Sequence, residues 1–533
     1  MVIGLEPSYR ALPPSCCATE AWSPLVADET GAHCLPSSQE AAVARGLDGW
    51  IPDTPTEPRL GVTASATGVA RRRHTRLGRP LLLQDRSGPP ETASLGRPCG
   101  EEETGVGMDN AEPEATRCAS AQRHGFERMQ IRVCLVSPYP PPGTRHTITS
   151  SMGSYTKNLA EALVAQRHRV IVLAEQLQSL PAVSVDDGVH VVRCWRRGLT
   201  FPLRVVWAAM RHRRRFDVLH IQHEFFLYGA ATPLLFPVTL LLLRMLARRP
   251  AVVTLHGVIE PSLVRTFAGQ YGMSVDPRFL GAGLQISTKL TALFAKKLVT
   301  HEERLANVLV HGYGLRAPKI AVIPHGVEQG RSLVSQVTAR KELGIGTGHV
   351  VSFLGYLAPY KGLEMLVEAV KGLDPQAYTL IIGGGENPRL SSVSIYRSFV
   401  ARLKEEAARS RGAIRLLGYV REENLAQFLS AADVLVLPYT EVMASSGPMN
   451  LAASFGEPVL ASRGFAGVHP DALLFEANPG ALRAKIEEFF SSSCLRELAQ
   501  REAARFASER SWPRIAQATH ALYARVGRSE TSG

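Results

Sequence analysis

Two short segments could together hold a diphosphate. Ala444-Ser-Ser-Gly-Pro-Met-Asn450 follows an apolar run at 434–437 and opens a second apolar segment with helical character. Ser445 and Ser446 are good helix caps. Pro448 suits a first helical turn, because its fixed φ fits and its missing N–H had no partner there. With Gly447 alongside, such a helix start turns backbone N–H groups and the positive end of the helix dipole toward an anion. Lys361 stands at another strand-to-helix turn, after 351–354 and before Gly362, at the same predicted sheet edge, where it would neutralise a phosphate. Histidines offer a second chemistry. His220 and His223 lie in Asp217-Val-Leu-His-Ile-Gln-His-Glu224, and His256 closes Val253-Thr-Leu-His. Two imidazoles at i, i+3 diverge across a strand end and bring no third ligand, so they point to a polar cleft and not to a metal.

These residues need a scaffold of alternating strands and helices. Short apolar runs at 131–137, 170–173, 189–194, 218–221, 252–255, 298–300 and 320–323 read as strands, with helical segments between them. After a polar joint at 328–348 the series restarts at 350–354, 379–382, 414–416, 434–437 and 459–461. Helices are expected near Gly362, Leu390, Glu422 and Pro448, then over 479–490, 494–509 and 512–525. Apolar strands alternating with amphipathic helices predict parallel sheets covered on both faces, and ligands then sit outside the carboxyl ends of the strands. Two α/β domains of doubly wound, Rossmann-like type follow: 129–328 and 329–511. Residues 512–533 form a last helix, expected to cross back to the first domain, and a tail.

Composition separates the first 128 residues from the rest. They hold 13 Arg, no Lys and 17 acidic residues, whereas the remaining 405 carry 47 basic and 31 acidic side chains. Proline, glycine and serine punctuate the first part, which is expected to be a disordered extension. A second reading places the physiological start at Met129. The negative charge of the extension argues against a nucleic-acid arm. The N-terminus has neither the basic n-region nor the apolar run of a signal peptide. Only Cys134, Cys194 and Cys494 lie past Met129, which fits free thiols in a reducing cytoplasm. The uncharged stretch 225–243 is broken by Gly229, Pro233 and Pro237, so it is expected to be buried or to lie on a membrane surface. Residues 188–216 contain eight Arg and no acid, interleaved with Trp195, Phe201 and Trp207, a composition suited to an anionic membrane surface. Peripheral attachment to the inner face of the plasma membrane would follow. No Gly-Lys dipeptide allows a P-loop, and Gly383-Gly-Gly-Glu-Asn-Pro388 is not the dinucleotide-binding GxGxxG.

From Met129 to about Arg525 the chain resembles the family-4 retaining glycosyltransferases of the GT-B fold, two Rossmann-like domains facing a cleft. The stretches that carry the resemblance include Gln130–Ser137, Tyr155–Leu163, Asp217–Glu224, Thr254–Gly257, Lys319–Val327, Phe353–Gly362, Leu417–Val420, Ala431–Tyr439 and Gly456–Ser462. The resemblance implies a UDP- or GDP-linked sugar as donor substrate, no cofactor and no metal. It implies a glycan or lipid-linked acceptor held mainly by the N-terminal domain, in polysaccharide or glycoconjugate synthesis. Lys361, His256 and Glu441 would carry catalysis. Gly153, Glu386, Asn387, Tyr419, Val420, Ser446, Gly447, Pro448, Met449 and Asn450 would bind the donor, and His220, His223 and Glu224 the acceptor. The family's two glutamates eight positions apart fall here on Met443 and Leu451, with Glu441 two residues early. Its arginine before the lysine is Tyr356, and its Gly-Gly in the first loop is Ser150-Ser151. A catalytically silent relative, or a synthase with a soluble sugar acceptor, is the alternative.

Overall fold

A computed structural model describes residues 130–144, 151–178, 180–229, 231–387 and 390–528. The expectations for 1–128 and for Ser150 fall outside these residues. The first half runs β1 (Arg132–Val136), α1 (Ser151–Ala165), β2 (Arg169–Glu175), β3 (Val183–Asp186), β4 (Val189–Trp195), α2 (Phe201–His212), β5 (Val218–His223) and α3 (Thr232–Leu246). It continues with β6 (Ala251–Leu255), α4 (Val264–Gln270), α5 (Pro277–Phe294), β7 (Lys297–Thr300), α6 (Glu303–Asn307) and β8 (Ile320–Val322). These strands form one sheet in the order β3-β4-β2-β1-β5-β6-β7-β8, parallel except for β3, which pairs antiparallel with β4. β1, β5 and β6 are buried almost throughout, as strands covered on both faces must be. One face packs against α2 and α3, with Phe201, Val205, Phe236 and Leu240 in its core. The other packs against α1 and the chain's last helix, through Tyr155, Leu159, Leu163 and Tyr523.

The second half contains α7 (Gln336–Glu342), β9 (His349–Leu354), α8 (Leu363–Lys371), β10 (Tyr378–Gly383), α9 (Ser394–Arg409), β11 (Ile414–Gly418), α10 (Leu425–Ala431) and β12 (Val434–Leu437). It ends with α11 (Gly447–Phe455), β13 (Val459–Ser462), β14 (Leu474–Phe475), α12 (Pro479–Ser491), α13 (Ser493–Glu509) and α14 (Trp512–Arg528). Its sheet is parallel, in the order β11-β10-β9-β12-β13-β14. Both sheets have a doubly wound arrangement, in which the strand order reverses beside the first strand and opens a crevice there.

The chain crosses between the halves twice, and the two crossings are bonded. Val327 N–H donates to Arg510 C=O at 2.7 Å, and Val327 bridges to Ser511. Gly326 lies against the Trp512 indole so closely that a Cβ would meet the ring at 2.4 Å. α14 then packs on α1, with Trp512 and Tyr155 rings 5.2 Å apart. Asn158 of α1 donates to Glu328 at 2.9 Å, and Arg331 bridges Glu328 to Glu422, so the joint is tied to both sheets.

The segment 188–216 does not face outward as a unit. Trp195 and Phe201 are core residues, and Arg193 is buried, donating to the carbonyls of Tyr139 and Pro140. Trp207 is exposed. Among the described residues no helix is long and apolar enough to cross a membrane.

Candidate functional site

At the carboxyl edge of the second sheet, β12 leads through Tyr439 and Glu441 to α11, whose start matches the expected cap. Ser446 Oγ accepts from Met449 N–H at 3.2 Å, Pro448 fills the first turn, and Gly447 faces open space. Asn450, in the same turn, is 6% exposed, yet neither atom of its side-chain amide has a hydrogen-bond partner. A buried amide left open in both directions costs free energy unless something fills it.

Lys361 meets this helix start from β9. It closes the turn Pro359–Lys361, and Gly362, in the left-handed region at φ 68°, lets the chain enter α8. The ammonium lies 6.0 Å from the Phe353 ring centre and 5.8 Å from that of Tyr439. Burial lowers its pKa to about 8, and no described carboxylate pairs with it. Gly355 explains how it fits: a Cβ there would stand 2.8 Å from Lys361 Nζ and 3.3 Å from the Pro448 ring. Glycine thus keeps open the corner where the cation and the helix start converge. Glu441 has one buried carboxylate oxygen without a partner, and burial raises its pKa.

The flank of this corner is aromatic. Tyr419 is exposed beside Val420, and its ring stacks at 6.4 Å on Tyr356, the residue standing at the family's arginine position. Glu386 is bound to Lys404 at 2.8 Å, and Asn387 N–H donates to the Tyr396 hydroxyl. Across from this edge, Gly153 is buried in the first turn of α1, beside Pro140.

The N-terminal sheet edge differs. His223, His256, His301 and His325 stand at or just beyond the ends of four neighbouring strands, β5 to β8. Tyr155 packs against His256, His301 and His325, with centroids 4.6, 5.4 and 5.0 Å away. His301 Nδ1–H donates to the Ile323 carbonyl at 2.9 Å, so its Nε2 must accept, at 3.1 Å, from His256 Nδ1–H. His256 Nε2 then accepts in turn, and the Gln222 side-chain amide, 2.8 Å away, must present its NH2. Burial and the neighbouring imidazoles hold His256 far below its ordinary pKa, and burial lowers His301 to about 3. Among the described residues no three His, Cys, Asp or Glu side chains are placed to hold a metal.

Two expectations change here. His220 is not at the cleft: β5 runs on to His223, leaving His220 2% exposed inside the sheet, bonded to Tyr523 at 2.6 Å and Thr254 at 2.7 Å. His256 sits at the cleft, but both its ring nitrogens are engaged, by His301 and Gln222. His223 is buried between Phe225 and Phe236 with Nδ1 unpartnered. Glu224 is half-buried and near enough to Tyr360 of the second domain to help raise that phenol's pKa.

One feature went unseen in the sequence. Segment 442–444, between Glu441 and the α11 cap, is held by the N-terminal domain. Val258 N–H donates to Met443 C=O at 2.8 Å, and Gly257 bridges antiparallel to Ala444. Arg304 of α6 donates to the Val442 carbonyl and, at 2.9 Å, to that of Ala444, while Glu302 holds the guanidinium at 2.5 Å. An arginine reaching 138 residues along the chain leaves no local pattern. His301 and His325 did leave one, as polar residues ending strands of the same sheet.

Two Rossmann-like domains with their strand ends turned to one cleft define the GT-B class. In structure the chain is similar to sucrose-phosphate synthase from Thermosynechococcus elongatus, with TM-score 0.57 and 18% identity over 74% of this chain and 99% of that one. It is also similar to Anabaena HepE in complex with UDP and glucose, with TM-score 0.55 and 17% identity over 74% and 100%. In sequence, residues 152–331 match Glycosyltransferase Family 4 and residues 348–492 match Glycosyl transferases group 1. The chain belongs to the family-4 glycosyltransferases of GT-B fold. A GDP-mannose:glycolipid 4-beta-D-mannosyltransferase of Xanthomonas campestris is 31% identical over 182 residues, 33% of this chain and 48% of that protein. The chain thus spans about half the length of the first curated relatives it matches.

Proposed function

We propose that the protein is a retaining hexosyltransferase that moves a sugar from a UDP- or GDP-linked donor to a glycan or lipid-linked acceptor. The observation that carries this reading is the corner where Lys361, the α11 helix start and the unpartnered Asn450 amide converge. A buried cation without a carboxylate, beside the positive end of a helix dipole and an open side-chain amide, suits a diphosphate. The Tyr356–Tyr419 pair offers a stacking surface for the base. A GDP-mannose:glycolipid mannosyltransferase among the relatives, and a structural neighbour in complex with UDP and glucose, agree with such a donor. The glycolipid acceptor named for the first relative supports a lipid-linked acceptor here.

In the reaction, the bond between the anomeric carbon and the diphosphate oxygen breaks, and an acceptor oxygen bonds to the same face of that carbon. The departing diphosphate takes the acceptor's proton. Lys361 and the positive end of the α11 helix dipole stabilise the charge developing on it, and Glu441, half-buried beside them, orients donor hydroxyls. His256, neutral and fixed by His301, borders the sugar as a positioning residue. Arg304 holds the loop that carries Glu441 in register with the N-terminal domain. The test is donor turnover across a panel of UDP- and GDP-sugars. Wild type should turn over at least one, and Lys361→Ala should lower kcat/KM by about a hundred- to a thousandfold, the usual effect of removing one such stabilising group. Turnover undiminished in Lys361→Ala would refute the site.

A further inference from the structure

The face of the N-terminal domain formed by α2, α3 and α5 is apolar on its outside as well as its inside. Inner residues such as Phe201, Val205, Phe236 and Leu243 fill the core. On the outer side of α2, Leu203, Trp207 and Met210 recur at i, i+4 and i+7, with Trp207 61% exposed. On α3, Leu234, Val238 and Met245 repeat the pattern at i, i+4 and i+11. On α5, Phe279, Ile286 and Leu293 lie at i, i+7 and i+14, with Phe279 77% and Ile286 61% exposed. These helices carry more of the exposed large apolar side chains than all the other described elements together. A soluble surface scatters such residues singly, whereas three adjoining outward stripes mark a docking face.

The charge around this face is one-sided. Between 188 and 301 there are sixteen Lys or Arg and only four acids: Asp217, Glu224, Glu260 and Asp276. None of the four lies within α2, α3 or α5, and Asp217 is already paired with Arg132. Exposed arginines follow α2 at Arg213–Arg215, and Arg211 lies over the Trp207 ring at 5.7 Å, spreading charge along the apolar stripe. Between α2 and the β3–β4 edge runs an open groove of about 560 Å³, lined by Val183, Leu203 and Trp207 together with Arg204 and Arg211.

We propose that the α2–α3–α5 face lies flat on an anionic lipid bilayer, its apolar stripes entering the headgroup region and its arginines contacting lipid phosphates. Apolar stripes bordered by cations, on helices not long and apolar enough to cross a membrane, are the composition of an interfacial surface. This inference rests on the lipid-linked acceptor of the proposed function, because a domain seated this way meets its acceptor where the lipid is. Of the segment 188–216, whose Trp195 and Arg193 are buried, it keeps only α2 and Arg213–Arg215, and it adds α3 and α5.

The test is flotation of the full chain with phosphatidylcholine vesicles and with mixed phosphatidylcholine–phosphatidylglycerol vesicles, at low and high salt. The protein should float with the mixed vesicles, more weakly in high salt. Replacing Arg213, Arg214 and Arg215 by Ala should weaken binding on the order of a hundredfold, at roughly fivefold per basic residue. Trp207→Ser with Ile286→Ser should weaken it about tenfold or more at either salt concentration. All these side chains are exposed, so melting temperatures should match the parent. Equal flotation with both vesicle types, or variants that float like the parent, would overturn the proposal. So would a dimer in light scattering that the Trp207/Ile286 variant dissociates, which would make a second copy the occupant. Turnover of a nucleotide sugar on the same preparations separates the two readings. Flotation without turnover removes the enzymatic reading and leaves the docking face standing, and turnover without flotation does the reverse.

Discussion

The carboxyl edges of the two sheets face the same cleft, and their polar groups are treated differently. In the N-terminal domain His256 and His301 are bonded to each other, to Gln222 and to Ile323, and His220 behind them to Tyr523 and Thr254, with His223 Nδ1 left open. In the C-terminal domain Lys361 has no carboxylate, Asn450 has two open amide atoms and Glu441 has an open oxygen. A satisfied network holds one geometry, while open buried groups are stabilised only when a ligand arrives. In the proposed reading the second edge binds and the His256–His301 part of the first supports, with 442–444 as the seam between them.

The largest effect that separates the edges is acid lability. Burial lowers His301 and His220 to about 3 and His223 and His325 to about 4, from an ordinary value near 6.5. Their folded values lie below the unfolded ones, so the unfolded chain binds the extra protons as pH falls. Stability is intact above pH 6.5 and is lost from there down toward 3, by several kcal/mol in sum on an order-of-magnitude basis. Thermal melts followed from pH 7 to 4 should show the N-terminal domain losing stability first. A pH-independent melt over that range would break the comparison.

A smaller effect tests the open edge. Asn450→Leu removes a buried unsatisfied amide at similar volume, so it should leave the melting temperature unchanged or higher while weakening nucleotide binding about tenfold or more. A lower melting temperature with unchanged binding would show that the amide serves the fold. The seam gives the smallest effect. Arg304→Ala should lower kcat about tenfold with little change in donor affinity, because it misplaces the loop carrying Glu441 without touching the donor. Steady-state kinetics would sharpen the contrast, and an effect confined to donor KM would place Arg304 in the binding edge instead.

Much of the scaffold could be read from the sequence, because strands buried on both faces appear as apolar runs such as 434–437. β3 escaped that logic: both its valines are exposed and only Asp186 is buried, so no apolar run marks it, and only the Asp187-Gly188 turn, with both φ angles positive, betrays the hairpin. The α11 cap and Lys361 were legible because their chemistry is local. His220 was misplaced because β5 runs two residues beyond its apolar run, so the strand end is at His223 and His220 lies inside the sheet, bonded to Tyr523 of α14. Arg304 and the His256–His301 pair depend on contacts made only once the sheets are assembled.

The most direct measurement is calorimetric titration of UDP and GDP into wild type and Lys361→Ala across pH. Binding of at least one nucleotide should fall about a hundredfold in the variant. In wild type it should also weaken as pH rises past about 8, where the buried ammonium of the free protein loses its proton. Equal binding by both proteins, with no pH dependence between 7 and 9, would contradict the assignment of this edge to the donor diphosphate.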